Sequence, residues 1–319
     1  MTTYGWKLMA ELHPARALVE QAVAAEAAGL EFVAISDHIH PWLPEHEHSP
    51  FAWSVLGGVA HATDRIELAT GVTCPIGRYH PAIVAQAAAT VATMTPGRRF
   101  TLAVGAGERL NEHVTGDEFP AVDLRHEMLL EACDIITALW QGDWVTIRGE
   151  HLDVEDARIF DLPEVDPALV VAVSGPSSLD VAQAAGADGI MATEPEASLP
   201  SGWTDRGGDG SQTWAEIPVA WAETEEEGQR LALERFRFGV PGWKVMAELP
   251  NPVNFDAALE TVRPEDVAEM IPCGPDPERA AEGIRDFADA GFERISVVPV
   301  GDPAATLRFF TDEVLPLLG

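Results

Sequence analysis

The chain has 319 residues, 46% of them apolar, and carries 52 acidic against 20 basic side chains, for a net charge of −32. That length and apolar content suit one large α/β domain with a substantial core, and the acidity excludes a nucleic-acid partner, whose phosphates need a basic surface. Nothing reads as a membrane-spanning apolar run, and residues 1–7 lack the basic and apolar regions of a signal peptide, so a cytoplasmic protein with no membrane partner is expected.

In chain order, β-rich apolar runs alternate with alanine-rich helical stretches. The predicted strands are Tyr4–Ala10, Glu31–Ser36, Ile66–Val72, Phe100–Gly105, Leu169–Ser174, Gly189–Thr193, Ile217–Ala222 and Arg294–Val300. Most are continuous apolar runs rather than alternating ones, as expected of a parallel sheet covered on both faces. The predicted helices are Pro14–Ala28, Pro81–Met94, Leu124–Trp140, Ser177–Ala185, Thr224–Phe236 and Pro303–Leu318. Proline opens the second of these, and Thr224 is placed to cap the fifth. Strands in this number, mostly separated by helices, predict a (β/α)8 TIM barrel spanning residues 1–319 as a single domain. Trp144–Phe160 and Phe238–Cys273 break the repeat and are read as insertions, and Gly202–Gly210 as a flexible loop. Cys74, Cys133 and Cys273 are widely spaced, with no CxxC pair, and suggest neither a zinc site nor a disulfide framework.

A barrel places its chemistry at the C-terminal ends of its strands. The second predicted strand runs into Ser36-Asp37-His38-Ile39-His40-Pro41-Trp42, the third into Gly71-Val72-Thr73-Cys74, the fourth into Gly105-Ala106-Gly107-Glu108-Arg109-Leu110-Asn111-Glu112, and the fifth into Ser174-Gly175-Pro176-Ser177. His38 is a candidate proton carrier, because imidazole titrates near neutrality, and Asp37 is placed to hold it. Glu108 follows a glycine-rich turn that permits close approach of backbone and cofactor, and is a candidate second acid or base. Trp42 is a candidate pocket wall. Ser174-Gly175 precedes a helix start whose backbone N–H groups suit a cofactor phosphate.

These paired segments resemble the F420-dependent members of the luciferase-like hydride transferases, in particular the F420-dependent glucose-6-phosphate dehydrogenase subfamily. The likeness extends over nearly the whole chain, including His126–Trp140, Ala157–Pro163 and Val173–Pro176. The resemblance implies a deazaflavin (F420) cofactor, a small-molecule substrate and a homodimer. It implies that His38 takes the substrate hydroxyl proton, that Trp42 helps stabilise the intermediate and that Glu108 donates the proton the cofactor takes up. It also implies a cis peptide at Gly71-Val72 behind the cofactor ring, with Asp37, Asn111 and the Ser174-Gly175 turn contacting the cofactor. The sugar-phosphate enzymes hold their substrate's phosphate with basic residues. Here the sixth strand leads into Glu194-Pro195-Glu196 and a later arginine position reads as Met270, leaving Lys244 as a substrate candidate. An anionic substrate would meet an acidic mouth, so a neutral alcohol, a sugar, or an activated carbonyl or alkene is expected.

Three other readings compete. FMN could replace F420 in a luciferase-like monooxygenase, since one fold serves both. A metal-dependent hydrolase on the same barrel would use His38-x-His40, with His46 and His48 expected otherwise as a loop near the entrance; it would need further ligands from later strands, and no histidine follows His151. A barrel that only binds the cofactor is the third. The charge also suggests a high-salt host, the rival being a genome biased toward arginine and acidic codons. If salt screening of self-repulsion matters, the thermal midpoint is expected to climb between low and molar salt; a flat midpoint would remove the high-salt expectation.

Overall fold

The computed structural model describes residues 2–319. Eight parallel strands close into a barrel: β1 (Thr3–Leu8), β2 (Phe32–Ile35), β3 (Glu67–Thr70), β4 (Phe100–Val104), β7 (Ala168–Ala172), β8 (Gly189–Ala192), β9 (Thr213–Val219) and β10 (Arg294–Pro299), with β10 returning to β1. Two further strands, β5 (Val145–Arg148) and β6 (Asp153–Ala157), form a separate antiparallel hairpin within 144–160. The barrel is the (β/α)8 architecture the alternating pattern predicts.

One strand lies upstream of its predicted position. The run expected at Ile217–Ala222 is instead Thr213–Val219. Glu216 interrupts the apolar sequence there, yet it sits inside the barrel because it pairs with the Lys7 ammonium. Two helices absent from the predicted set are present: Ala52–Ala62, nearly apolar throughout, and the amphipathic Pro277–Ala290, capped by Asp276, whose Oδ1 accepts from the Glu278 amide at 3.0 Å. The helix Ser198–Asp205 takes up the first half of the expected loop 202–210. The closing helix is not continuous: Pro303–Phe309 widens into a π-turn over Phe310–Val314 before Leu315–Leu318. Pro316 has no amide hydrogen to donate back, which breaks the regular ladder at that point. Thr224 does cap Glu225–Phe236, its Oγ1 accepting from the Glu227 amide at 3.2 Å.

The helices cover the barrel and bury one large apolar shell against its outer face. Inside, Phe32, Ala34, Ala69, Ala103, Val170, Met191 and Trp214 fill the lumen. The Phe32 and Trp214 rings meet edge-to-face at 4.7 Å, and the Arg294 guanidinium lies 4.3 Å from the Trp214 ring and 4.9 Å from the Phe32 ring. This plug closes the N-terminal end and leaves the C-terminal mouth for chemistry. The segment 238–273 is built from three short helices, Trp243–Met246, Pro252–Ala258 and Pro264–Ala268. It packs Phe238, Met246, Phe255 and Leu259 with Met9, Trp42, Leu43 and Leu110 of the mouth.

Because Phe32 is fully buried in this plug, Phe32→Ala is expected to cost ~3–5 kcal/mol through lost burial and the cavity it leaves. Calorimetry should show the thermal midpoint lowered by several degrees; an unchanged midpoint would mean the plug does not support the barrel.

Candidate active site

Each side chain at the mouth is set by the strand that ends beneath it. β1 ends three residues before Glu11, β2 one residue before the Ser36–Trp42 segment, β3 at the edge of Gly71–Thr73, and β4 just before Gly105–Asn111. Because these strands are neighbours and parallel, all four segments emerge on one rim.

His38 stands at the centre. Its Nε2 is 2.9 Å from Glu108 Oε1, and its Nδ1 is 3.0 Å from Glu11 Oε1, the second contact being too poorly aligned for a hydrogen bond. Both carboxylates are buried. Burial alone would strip the proton from His38, but the charges of Glu108 and then Glu11 outweigh it and raise the pKa to about 9. An imidazolium between two carboxylates is therefore the resting state at neutral pH. Glu11 Oε2 accepts from the Ser36 hydroxyl at 2.7 Å, and Ser36 Oγ in turn accepts from the Ala10 amide at 3.0 Å.

Asn111 ties the rim together. Its amide donates to Glu108 Oε1 at 2.7 Å, and its Oδ1 accepts from the backbone of Ile39 at 2.8 Å and of His40 at 3.1 Å. His40 Nδ1 meets the Leu110 carbonyl at 3.0 Å. His40 thus joins the second loop to the fourth. No group of three or more ligating side chains suited to a metal occurs among the described residues.

Trp42 presents its edge to His38 at 4.7 Å. It stacks on Phe238 at 4.9 Å with planes 3° apart, and meets Phe255 edge-on at 5.3 Å. The insertion thereby builds the far wall of the pocket. His46, expected in a loop near the entrance, is buried against Phe238 at 6.0 Å with neither ring nitrogen hydrogen-bonded. Burial lowers its pKa, so it stays neutral and acts as wall rather than entrance.

Gly71-Val72 follows β3, and the peptide between them is cis. Gly105, Ala106 and Gly107 lie on the adjoining strand end. Gly107 has φ +75°, and a Cβ there would stand 2.5 Å from Cys74 Sγ, so the turn tolerates no side chain. Glu112, behind this turn, accepts from the Arg78 amide at 2.7 Å; its burial pushes its pKa up to about 7.

Two predicted contacts are already engaged within the protein. Asp37 Oδ2 accepts from the Thr73 hydroxyl at 2.8 Å, and its Oδ1 accepts from Tyr79 at 3.0 Å and from Arg78 at 3.1 Å. Asp37 faces away from His38 into this network. At the fifth barrel strand, the amides of Ser174 and Gly175 both donate to Ser178 Oγ, at 2.9 and 3.2 Å. These two amides of the turn that the sequence offers to phosphate are held by the Ser178 hydroxyl. Lys244 is exposed on the helix Trp243–Met246, which joins the rim where the Arg109 amide donates to the Ala247 carbonyl at 2.8 Å.

Glu11 is the residue that the sequence analysis leaves out, although the strand-end rule that picks His38 and Glu108 applies equally to it. Phe238 and Phe255 carried no signal, because an apolar residue in an irregular segment has no periodicity to read.

Comparison with known proteins agrees with this geometry. The family described as luciferase-like monooxygenase matches residues 2–294. An F420-dependent hydroxymycolic acid dehydrogenase of Mycobacterium tuberculosis is 35% identical, covering 94% of this chain and 84% of its own. An F420-dependent glucose-6-phosphate dehydrogenase of Mycobacterium avium is 34% identical over 98% and 97% of the two chains. The structure of an F420-dependent secondary alcohol dehydrogenase, in complex with an F420-acetone adduct, superposes with a TM-score of 0.88 at 28% identity, covering 100% of this chain and 99% of the other. The barrel, its mouth and these likenesses together establish that the chain belongs to the luciferase-like family.

Proposed function

We propose that this protein is an F420-dependent dehydrogenase that interconverts a small neutral alcohol and its carbonyl product, with His38 as the base. The observation that carries the reading is the imidazole of His38 set between Glu11 and Glu108 at the barrel mouth. The relatives named as F420-dependent dehydrogenases support it.

The residues present fit a flat heteroaromatic cofactor. Glu108 Oε2 is buried without a partner, a costly state that a donor on a bound ring would relieve. Beside it Val72, Ala106, Gly107 and Ala172 are only partly covered, although their neighbours Val104 and Gly105 are buried. The floor so formed has no charged side chain. F420, when bound there, supplies the carbon that accepts hydride from the alcohol.

The protein's own part is proton handling and exclusion of water. His38 takes the hydroxyl proton as hydride leaves the same alcohol. Glu108 lies 2.9 Å from His38 Nε2, so that proton is passed on within the site. The reaction balances as alcohol plus oxidised F420 giving carbonyl compound plus reduced F420. Glu11 faces Nδ1 and favours the charged ring that forms. Trp42, braced by Phe238 and Phe255, fixes the ring edge and keeps solvent away.

A neutral substrate suits the electrostatics. Arg237, close to the wall, is committed to Glu45 and to Asp256, the latter at 2.8 Å, while Glu194 and Glu196 are exposed after β8. A phosphorylated sugar would meet net repulsion, and exposed Lys244 offsets little of it. We also read the protein as a homodimer, because exposed Phe51, Ile83 and Met94 share one apolar groove between the helices Ala52–Ala62 and Pro81–Thr93.

Fluorescence quenching should show tight F420 binding and weak FMN binding; the reverse preference would move the protein to flavin chemistry. His38→Ala is expected to lose ~10²–10⁴-fold in turnover while still binding F420, and intact turnover would remove His38 from the mechanism. Since the base works only when deprotonated and its pKa is raised to about 9 in the cofactor-free protein, kcat/KM for alcohol oxidation should rise with pH toward that value. Glu11→Gln removes one of the two charges holding the proton, so the rising limb should move to lower pH. A limb that stays in place would mean Glu11 does not act on His38. Sedimentation equilibrium should return twice the chain mass of 34.3 kDa; a monomer would leave the apolar groove without that explanation.

A further inference from the structure

Of the chain's two lysines, Lys7 and Lys244, one is spent in the barrel interior. Lys7, on β1, is 3% exposed. Its ammonium donates to Glu216 Oε1 of β9 and to the carbonyl oxygen of Gly71 at the end of β3. The same lumen holds the apolar side chains of Phe32, Ala34, Ala69, Ala103, Val170, Met191 and Trp214.

The surroundings are shaped to admit this side chain. Lys7 stands in register with Ala34, and Ala34 with Ala69, so the strands beside it present small residues where a larger one would fill the space of its stem. A Cβ on Gly71 would come within 2.6 Å of Lys7 Nζ and 2.9 Å of Glu216 Oε1. Only glycine lets the ammonium reach that carbonyl.

Stability does not account for the arrangement. Removing two charges from water costs several kcal/mol for each ion, and well-packed apolar side chains of the same volume generally serve as well or better. The third partner indicates another purpose. Val72, the residue after the fixed carbonyl, is half-buried at the mouth, and its Cγ2 lies 3.1 Å from where a Cβ on Gly105 would be. Lys7 therefore controls, through Gly71, the segment that lies against the glycine turn leading to Glu108.

We propose that the buried Lys7–Glu216 pair is a positioning device for the cofactor: it pins the Gly71 carbonyl inward, so that Gly71–Val72 forms a fixed platform for the deazaflavin. The proposal rests on the F420 reading above. Lys7 and Glu216 touch neither substrate nor base in this role; they act through the backbone of Gly71.

The test measures F420 affinity by fluorescence quenching, thermal midpoint, and steady-state kinetics for the parent, Lys7→Met, Glu216→Gln and the neutral double variant Lys7→Met/Glu216→Met. The expected result is F420 binding weakened at least ~10-fold, about 1.4 kcal/mol, in Lys7→Met and in the double variant. The double variant should keep or exceed the parent's midpoint, because it leaves no unpaired buried charge. Glu216→Gln keeps the ammonium and should lie between parent and Lys7→Met. At saturating F420, kcat should fall while KM for the alcohol changes little, a split that general destabilisation would not produce. If Lys7→Met alone fails to fold because Glu216 is left unpaired, the double variant decides. Parent-like F420 affinity and kcat in a folded double variant would overturn the proposal. A parent that binds no F420 would instead overturn the cofactor reading, and the proposal with it.

Discussion

The mouth of this barrel is organised around one electrostatic constraint: an imidazole held between two buried carboxylates. Neither Glu11 nor Glu108 would be tolerated there as an isolated ion, since a buried charge without a partner is costly. His38 neutralises part of that charge by keeping its proton up to about pH 9. Asn111 and Ser36 each donate to one carboxylate oxygen, Glu108 Oε1 and Glu11 Oε2, and the backbone of the second loop in turn holds Asn111 Oδ1. Taking away the imidazole would leave two buried like charges on the same rim. On the proposed mechanism the same constraint opposes catalysis, because a protonated histidine is no base. Engagement of Glu108 by a ligand would weaken its hold on Nε2, and the ring would become easier to deprotonate at the point where a base is needed.

Much of this was legible in the sequence, for a physical reason. Parallel strands buried on both faces read as continuous apolar runs, and the polar residue that ends such a run must emerge at the rim. His38 and Glu108 are legible that way, whereas the role of Asn111 comes from the family resemblance. The cis peptide at Gly71-Val72 came from family resemblance, not from any property of the two residues. What stayed hidden depends on contacts between distant segments. The internal satisfaction of the Ser174-Gly175 amides turns on the rotamer of Ser178. The commitment of Asp37 to Thr73, Arg78 and Tyr79 depends on how the third loop folds back. The displaced start of β9 has the same origin: Glu216 looks like the end of an apolar run until its partner more than 200 residues away is known.

The insertion 238–273 shows how an irregular segment acquires a defined role. Its own helices are too short to be stable alone, and it is held by the aromatic contact of Phe238 with Trp42 and by the Arg109–Ala247 backbone bond. The dependence runs both ways. Trp42 sits on a loop, and its ring orientation is fixed only because Phe238 and Phe255 close around it. Changes of sequence in the insertion can therefore reshape the pocket through Trp42 while leaving the barrel unaltered, which is the usual division of labour between a TIM-barrel frame and its loops.

The two buried charge groups, Glu11–His38–Glu108 at the rim and Lys7–Glu216 below it, differ in kind. The rim group contains a titrating imidazole and lies where ligands arrive, so its charge is free to change during turnover. The lower group lies within the barrel, with Lys7 3% exposed, and its ammonium has a carboxylate and a carbonyl as partners. Its two side chains stand on strands, β1 and β9, rather than on loops. On the proposed role of the pair, the backbone of Gly71 is where the strand-borne element meets the mouth, and what it steadies is the platform beside the imidazole rather than the imidazole itself.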